Sequence, residues 1–251
     1  MFQLFSKKNI PSDFSFLHTD LHSHLIPGID DGAKTLEDSL QLIARLSKLG
    51  YRHIITTPHV MADLYPNTPD DILSGLEKVR AAVANKKIDI EIDAAAEYFM
   101  DEHFAPLVEH DQLLTLPGNR VLVEMSTLNS PPNLFNDLFR LQTKGYQPVL
   151  AHPERYVFLK EDFRQYTRLK DYGCEFQLNL LSITGYYGKP VRDIALKLLK
   201  NKMVDLLGTD MHHERHAASL EAMAADKSMM KILADYEFAN AALSEKVEEI
   251  L

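Results

Sequence analysis

The sequence is poor in the features that mark several common classes of protein. It has a single cysteine, Cys174, so no disulfide can form within the chain, which fits a reducing compartment. The first residues, Met1 to Pro11, lack the apolar segment and small-residue cleavage site of a secretory signal. No run of 18 or more apolar residues is present, as a membrane span would need. These absences predict a cytoplasmic protein without membrane insertion.

Positive charge is also scarce. The chain has 27 Lys and Arg residues against 36 Asp and Glu residues, a net charge of -9, and its longest basic runs are the pairs Lys7-Lys8 and Lys86-Lys87. A protein that binds nucleic acid through its phosphates needs the opposite balance. Nucleic acid is therefore disfavoured as a partner.

Motifs for several kinds of catalysis are missing as well. Cys174 is followed six residues later by Leu180, so the Cys-x5-Arg phosphate loop is absent. The sequence also contains no G-x-S-x-G elbow, Walker loop, dinucleotide-binding glycine pattern or His-Glu-x-x-His motif. If the protein is an enzyme, its chemistry must come from bound metal.

What the sequence does have is a regular alternation of strand and helix patterns. Apolar runs that suit buried strands lie at 16–21, 53–57, 90–95, 121–124, 148–151, 175–178 and 204–207. Helical patterns lie at 35–49, 69–84, 133–144, 161–172 and 190–201, and polar helices are predicted from about 217 to 251. The first helix begins with a capping box formed by Thr35 and Asp38.

Seven βα repeats with short connections predict an α/β fold with a mainly parallel sheet. The sheet could be a closed barrel or an open, doubly wound sheet. A barrel is favoured because its strand ends meet at one mouth, where active sites form, and the candidate functional residues all follow strands. At 251 residues, the chain is expected to form a single domain.

Metal-ligating residues recur at the strand ends. His22 and His24 end the first predicted strand and point to the same side, as does Asp20, because side chains alternate along a strand. The full set of predicted ligands is His22, His24, Asp31, His59, Glu97, Glu124, His152, Asp210 and His212. Five imidazoles and four carboxylates suit Mn, Zn or Fe better than Mg or Ca, and nine ligands suit two or three ions.

Any one of these residues alone would be explained more simply by packing, capping or an ion pair. Nine at strand ends favour a common metal centre. The other histidines fall outside this pattern, so His18, His53, His103 and His110 are predicted to be packing or surface groups, and His213 and His216 to lie at the rim. Asp20 and Asp30 remain open as groups that orient an imidazole.

Arginines near the ligands are candidates for binding an anionic substrate. Arg155 follows His152 by three residues, and its guanidinium could hold a phosphate bidentately. The alternative is an ion pair with Glu154 or Glu161 at a helix start. Arg215 is a weaker second candidate.

The ordered motifs resemble those of the polymerase and histidinol phosphatase (PHP) superfamily between about residues 17 and 216. They are Asp20-Leu21-His22-Ser23-His24, Asp30-Asp31-Gly32, Thr57-Pro58-His59, Ala96-Glu97-Tyr98, Val123-Glu124-Met125, Ala151-His152-Pro153-Glu154-Arg155-Tyr156 and Thr209-Asp210-Met211-His212. Within the superfamily, Asp-Asp-Gly combined with Glu-Arg-Tyr is similar to the bacterial manganese-dependent protein-tyrosine phosphatases of capsular and exopolysaccharide loci.

The resemblance implies a distorted (β/α)7 TIM-like barrel of the PHP fold with three metal ions, manganese first and Fe or Zn as alternatives. It assigns the ligands in three groups: His22, His24, Glu97 and Asp210; Glu97 as a bridge with Glu124 and His152; and Asp31, His59 and His212. Arg155 would bind phosphate, and Arg215 only loosely matches the family's second arginine. The chain would be one domain over 1–251, with an N-terminal extension at 1–16 and C-terminal helices at 217–251 packed on it.

The implied function is hydrolysis of phosphotyrosine without a cysteinyl intermediate. In the resembling enzymes the substrate is the tyrosine-rich tail of a kinase for polysaccharide assembly. A small-molecule phosphomonoesterase of the histidinol phosphatase type is the alternative, because it would use the same metals. A PHP nuclease is disfavoured by the acidic composition, and a non-catalytic metal-binding scaffold by the complete ligand set.

Overall fold

Parallel strands and helices alternate through the computed structural model, which describes residues 10–244. The strands are β1 Thr19–Asp20, β2 His53–Thr56, β3 His59–Val60, β4 Glu91–Ala94, β5 Glu97–Phe99, β6 Arg120–Glu124, β7 Gln147–Ala151, β8 Glu175–Asn179 and β9 Leu206–Gly208. The helices are α1 Leu36–Lys48, α2 Pro69–Lys86, α3 Phe104–Glu109, α4 Leu134–Thr143, α5 Val157–Glu161, α6 Arg164–Asp171, α7 Leu180–Thr184, α8 Lys189–Lys200, α9 Glu214–Ala225 and α10 Lys227–Ala234, with 3-10 turns at Pro153–Arg155 and Ala239–Ser244.

The strands form two sheets in which every pair is parallel. The smaller sheet has the order β1-β2-β4, and the larger has the order β3-β5-β6-β7-β8-β9. β3 follows β2 after two residues and β5 follows β4 after two residues, and β3 pairs with β5 just as β2 pairs with β4. The predicted α/β fold with parallel strands is therefore confirmed.

The outer strands β1 and β9 are joined just beyond their carboxyl ends. The Asp210 N–H donates to the His22 carbonyl oxygen at 2.8 Å, and the His24 N–H donates to the Met211 carbonyl oxygen at 2.9 Å. Ser23 and Met211 form a parallel bridge between the same segments. These bonds fix the His22–His24 segment beside the segment that starts at Asp210.

All seven predicted strands have a counterpart, but the first is much shorter than expected. Residues 16–18 form part of a turn, in which the Leu17 N–H donates to the Phe14 carbonyl oxygen at 2.9 Å. His18 has a φ of 61°, which interrupts extended backbone, so β1 covers only Thr19–Asp20. β3 and β5 were not predicted, because two or three residues are too few to show a periodic pattern.

The predicted helix at 161–172 corresponds to α6, which begins at Arg164 rather than at residue 161. The chain forms two helices, α5 and α6, separated at Asp162, whose backbone is extended with φ -136° and ψ 100°. The Asp162 side chain accepts a hydrogen bond from the Arg164 N–H at 3.1 Å and so starts a new helix. An aspartate that bonds its own downstream backbone competes with continued helix.

At the ends of the chain, the C-terminal helical region starts at Glu214 rather than at 217, because His213 caps α9 by accepting the His216 N–H. Residues 1–9 of the predicted N-terminal extension and residues 245–251 of the predicted C-terminal helices lie outside the described residues. Among the helices within 10–244, none combines the length and the apolar character that crossing a bilayer would require.

The helices pack on the sheets through apolar faces, and the first two are capped at their starts by side chains. In α1, the Thr35 hydroxyl accepts from the Asp38 N–H while the Asp38 carboxylate accepts from the Thr35 N–H, which confirms the capping box. Thr68 and Asp71 form the same arrangement at α2.

A buried asparagine ties the last 3-10 turn to both outer strands. The Asn240 amide donates to the Thr19 carbonyl oxygen at 3.0 Å and to the Leu207 carbonyl oxygen at 2.7 Å. Its carbonyl oxygen accepts from the Leu207 N–H at 2.9 Å. Asn240 thus connects β1 of the smaller sheet to β9 of the larger one at a fully buried position.

We expect Asn240→Ala to lower the free energy of unfolding by about 3 kcal/mol, because three buried backbone groups would lose their partner. The control is Asn201→Ala at the exposed end of α8, where the amide bonds only the Lys197 carbonyl oxygen and a change below about 0.5 kcal/mol is expected. Urea unfolding with an unchanged m-value measures both. Equal midpoints for the two variants would contradict the connecting role of Asn240.

Candidate metal centre

The nine predicted ligands converge at the carboxyl ends of the strands. They come from the segment after β1 (His22, His24, Asp31), from β3 (His59), β5 (Glu97) and β6 (Glu124), from the segment after β7 (His152), and from the segment after β9 (Asp210, His212). Six of the nine line a cavity of about 290 Å³ together with Arg155. The structure therefore brings together every residue of the predicted set.

The innermost group consists of His22, His24, Glu97 and Asp210. The His22 Nε2 atom lies 3.2 Å from Glu97 Oε2 and 3.4 Å from Asp210 Oδ1. The His24 Nε2 atom lies 3.5 Å and 3.6 Å from the same two oxygens. A tetrahedral site with metal–ligand bonds of about 2.1 Å has ligand–ligand edges of about 3.4 Å. The four imidazole–carboxylate distances are close to that edge length, as expected for side chains that share an ion.

A second group adjoins the first through Glu97. Its other oxygen, Oε1, lies 3.1 Å from His152 Nε2, and Glu124 Oε2 lies 3.8 Å from the same nitrogen. Glu97 thus presents one carboxylate oxygen to each group, as a bridging ligand would. The glutamate is fully buried between them.

The third group is the most exposed. Asp31 Oδ1 lies 3.4 Å from His59 Nε2 and 3.3 Å from His212 Nε2. The Asp31 side chain is 55% exposed, whereas both imidazoles are 13% exposed. The Nδ1 atom of His59 also faces Glu124 Oε1 at 2.9 Å, so this ring lies between the second and third groups.

Several of the ligand atoms that face one another in these groups have no hydrogen bond in the described part of the chain. Whether metal ions would satisfy them is a test of whether metal fits the site. Within residues 10–244, five buried ligand atoms lack a partner in hydrogen-bonding geometry: His22 Nε2, His24 Nε2, His59 Nδ1, Glu97 Oε2 and Glu124 Oε1. Leaving so many polar atoms unsatisfied in one place costs free energy. Divalent cations would satisfy all of them, and the mixed nitrogen and oxygen set suits Mn, Fe or Zn.

The protonation of the metal-free cluster leads to the same conclusion. Burial disfavours the charged form of His22, but Glu97 and Asp210 outweigh it and raise the His22 pKa to about 10. For His212, burial is likewise outweighed, chiefly by Asp210, and its pKa rises to about 9. Burial lowers the pKa of His24 to about 4, and the neighbouring His212 reinforces that shift. Without cations, His22 and His212 would therefore carry protons at neutral pH, and bound cations would take the place of that positive charge.

Hydrogen bonds on the far side of the rings hold the imidazoles in place. His22 Nδ1 bonds Gln177 Oε1 at 2.7 Å, and His24 Nδ1 bonds Asp30 Oδ2 at 2.8 Å. With Nδ1 engaged in this way, Nε2 remains available to bind metal. Asp30 therefore orients an imidazole, one of the roles left open by the sequence. Asp20 instead accepts from the N–H and hydroxyl of Thr209.

The loop that carries Asp30 depends on Gly32. Asp30 accepts from the Gly32 N–H at 2.9 Å and from the His59 N–H at 3.1 Å. A Cβ atom on Gly32 would lie 2.2 Å from the His24 carbonyl oxygen, so only glycine permits this approach. The Asp-Asp-Gly sequence is therefore a packing requirement as well as a source of ligands.

Sequence reasoning missed three residues of the site. Asn179 Nδ2 donates to Asp210 Oδ2 at 2.7 Å, and Gln177 Nε2 donates to Asn179 Oδ1 at 2.9 Å. Their two-residue spacing on the buried strand β8 was an available signal, since a polar pair on one side of a core strand needs partners. Tyr187, which lines the cavity, gave no such signal.

Arg155 lies in the cavity wall and does not form the alternative ion pair with Glu154 or Glu161. Its Nη1 donates to Asp210 Oδ2 at 3.1 Å, and its guanidinium carbon is 5.0 Å from the centre of the Tyr187 ring. Glu154 is bonded instead by the Asn179 N–H and the Ser182 hydroxyl.

Arg215 is not brought to the site. It lies exposed in the first turn of α9 and is not among the residues that line the cavity. His213 and His216 do line it, consistent with rim positions. The histidines predicted to be packing or surface groups do not line the cavity. His53, for example, lies at the start of β2 and pairs with Asp93.

Comparisons with known proteins agree with this geometry. The model of the family "Capsular polysaccharide synthesis, CpsB/CapC" matches residues 18–247. The chain is 27% identical over 195 residues to tyrosine-protein phosphatase YwqE of Bacillus subtilis, with 77% of each protein covered. It is 28% identical over 200 residues to tyrosine-protein phosphatase CpsB of Streptococcus pneumoniae, covering 77% of this chain and 82% of that protein.

Solved structures give a similar result. A structure from work on YwqE of Bacillus subtilis and CpsB of Streptococcus pneumoniae, described there as unique metal-dependent tyrosine phosphatases, matches with a TM-score of 0.74 and 25% identity. The match covers 88% of this chain and 94% of that one. The lactonase Lmo2620 of Listeria monocytogenes matches with a TM-score of 0.51 and 11% identity over 93% of this chain and 92% of that one, a likeness of fold alone.

We expect Asp30→Asn to weaken Mn²⁺ binding about 10- to 100-fold, because an amide cannot accept all the hydrogen bonds that fix His24 and the His59 backbone. Calorimetric titration of the metal-stripped protein measures the affinity. The control is Asp70→Asn, an exposed carboxylate in the first turn of α2, which should bind Mn²⁺ as the wild type does. Unchanged affinity in Asp30→Asn would contradict the orienting role.

Proposed function

Because this chain belongs to the capsular polysaccharide synthesis CpsB/CapC family, we propose that it is a metal-dependent protein-tyrosine phosphatase. The observation that carries the proposal is the convergence of nine metal-ligating side chains around a cavity that also contains the Arg155 guanidinium. A cation cluster beside an arginine is suited to a phosphoryl group, which carries negative charge on several oxygens. The names of the relatives, YwqE and CpsB, support phosphotyrosine as the substrate.

The centre would hold three ions, with Mn²⁺ as the first choice and Fe or Zn as alternatives. Following the family resemblance, the inner ion would be held by His22, His24, Glu97 and Asp210, the second by Glu97, Glu124 and His152, and the third by Asp31, His59 and His212. His59 Nδ1 also faces the second position. When bound, such ions supply a nucleophilic water at neutral pH and neutralise phosphoryl oxygens.

The protein's own groups bind and orient the substrate. Arg155 would bind the phosphoryl oxygens with the N–H groups that Asp210 does not use, and its fixed charge would stabilise negative charge that develops there. The leaving phenolate has a solution pKa of about 10, so departure needs little help from an acid. Cys174 is buried and burial raises its pKa to about 12, so it is not suited to be a nucleophile.

We further propose that the two sheets are one distorted seven-stranded (β/α)7 barrel. β2 with β3 and β4 with β5 would each count as a single interrupted strand, which gives seven. The hydrogen bonds between the segments after β1 and β9, together with Asn240, support closure between the outer strands. A single domain over the whole chain follows from this proposal.

The natural substrate would be a phosphorylated tyrosine-rich segment of a kinase for polysaccharide assembly, in keeping with the family's role in capsular polysaccharide synthesis. A cytoplasmic location stays a prediction from the sequence. A small-molecule phosphatase of the histidinol phosphatase type remains the competing function, and the first experiment below includes its substrate.

Metal-stripped protein should release phosphate from a phosphotyrosine peptide only after Mn²⁺ is added, and Arg155→Ala should lower kcat/KM by about 100- to 1000-fold. The control is Arg164→Ala, whose side chain is 90% exposed and pairs with Asp162. Metal content is measured in each variant, because Arg155 contacts the ligand Asp210. Turnover of histidinol phosphate alone would favour the small-molecule function, and no turnover of either substrate by the metal-loaded protein would refute phosphatase activity.

Asp31→Ala should lower the metal content from three ions per chain to two, because Asp31 belongs only to the outer group and is its most exposed ligand. Elemental analysis after gel filtration counts the ions without reference to activity. Asp63→Ala, an exposed aspartate after β3, is the control and should retain three. Loss of all ions in Asp31→Ala would show that the three groups do not fill independently.

A further inference from the structure

Tyr187 places its aromatic ring against the Arg155 guanidinium. It lies in a tight turn between α7 and α8, flanked by Gly185 with φ 89° and Gly188 with φ 93°. The Gly188 N–H donates to the Gly185 carbonyl oxygen at 2.8 Å and closes the turn. Residues with side chains rarely adopt such positive φ values, so the two glycines make this turn possible and direct Tyr187 to the cavity wall.

The ring of Tyr187 and the carboxylate of Asp210 together hold the Arg155 guanidinium. The guanidinium carbon lies 5.0 Å from the ring centre, within the range of a cation–π contact, and Nη1 donates to Asp210 Oδ2 at 3.1 Å. Arginine has five N–H donors, and the contact with Asp210 is the only side-chain hydrogen bond of Arg155 within residues 10–244. The remaining donors are free for a substrate, while the position of the group is fixed.

The hydroxyl of Tyr187 is buried and has no hydrogen-bond partner among the described residues. The nearby Tyr156, whose ring lies 5.7 Å from that of His152, has a hydroxyl with both hydrogen-bond partners. It donates to the Ala151 carbonyl oxygen at 3.0 Å and accepts from the Met125 N–H at 3.2 Å. A phenylalanine at position 187 would keep the ring and avoid burying an unpaired hydroxyl, so the hydroxyl does not serve the stability of the free protein.

An unpaired donor in the wall of a phosphate-binding cavity has an evident use when substrate binds. A tyrosine hydroxyl has an ordinary pKa of about 10, and burial raises the pKa of Tyr187 further, so the hydroxyl keeps its proton. The hydroxyl is therefore a hydrogen-bond donor on the residue whose ring lies against the guanidinium, and phosphoryl oxygens accept from such donors.

We propose that Tyr187 is a further substrate-binding residue, whose hydroxyl donates to a phosphoryl oxygen and whose ring positions the Arg155 guanidinium. This inference rests on the proposed function of the site, because it takes a phosphoryl group as the ligand. The two parts of the side chain have separate roles, and different substitutions remove them separately.

The test compares Tyr187→Phe, which removes only the hydroxyl, with Tyr187→Leu, which also removes the ring. The control is Tyr51→Phe, since Tyr51 is another buried tyrosine whose hydroxyl lacks a partner, but it packs on Phe14 in the core and does not line the cavity. For each Mn²⁺-loaded protein, calorimetry measures the dissociation constant of inorganic phosphate. Assays with a phosphotyrosine peptide give kcat and KM, and urea unfolding gives the stability.

Tyr187→Phe should weaken phosphate binding and lower kcat/KM by about 10-fold, while its urea midpoint equals or exceeds that of the wild type. Tyr187→Leu should weaken phosphate binding by roughly a further 5-fold. In an Arg155→Ala background, the Phe and Leu variants should bind phosphate equally, because the ring then has no cation to position. Tyr51→Phe should keep wild-type kinetics and phosphate affinity.

Wild-type phosphate affinity in Tyr187→Phe would overturn the role of the hydroxyl. A loss of affinity that merely follows a loss of stability would do the same, since it would mark Tyr187 as a structural residue. Equal phosphate binding by Tyr187→Phe and Tyr187→Leu with Arg155 present would overturn the role of the ring. A wild-type protein that binds phosphate but does not hydrolyse phosphotyrosine would contradict the proposed function and leave the binding measurements as a separate test of Tyr187.

Discussion

The constraint on which the rest of this structure depends is the neutralisation of carboxylates that are buried side by side. Glu97 is fully buried and Asp210 is 3% exposed, and each lies within 3.4 Å of His22 Nε2. Glu97 and Asp210 outweigh the burial of His22 and raise its pKa to about 10, so without cations this imidazole would carry a proton. An imidazole must lose that proton to bind metal, so protons and metal ions compete for the same positions. The arrangement is costly without cations, and bound cations would relieve that cost.

The fold supplies this cluster by bringing strand ends together and then locking them. Backbone bonds between the segments after β1 and β9 place His22 and Asp210 in contact although 188 residues separate them in the chain. Asp30, Gln177 and Asn179 then fix the ligand side chains from behind. Ligand side chains held from behind in this way would need little reorganisation to bind an ion.

The sequence was sufficient for the residues whose positions follow from strand periodicity. Strand ends carry the ligands, and the motifs that contain them resemble one superfamily, so all nine could be listed before the structure was known. The sequence could not predict which side chains pair across the site, because spacing along the chain does not give distances between strands. Arg155 could have paired with Glu154, Glu161 or Asp210, and only the fold selects Asp210. The interruption between α5 and α6 at Asp162, and the hydrogen bonds made by Gln177 and Asn179 on β8, likewise depend on contacts that only the fold shows.

Asp210 joins the metal centre to the substrate site through its two oxygens. Oδ1 faces His22, His24 and His212, while Oδ2 accepts from Arg155 and Asn179. The carboxylate that would help to hold the inner ion therefore also sets the position of the Arg155 guanidinium, which would bind phosphate. A displacement of one oxygen moves the other, because the carboxylate is rigid. The two sites are thus a single unit in which the position of the guanidinium depends on the packing of the ligands, and the Tyr187 ring supports the guanidinium from the side that Asp210 leaves open.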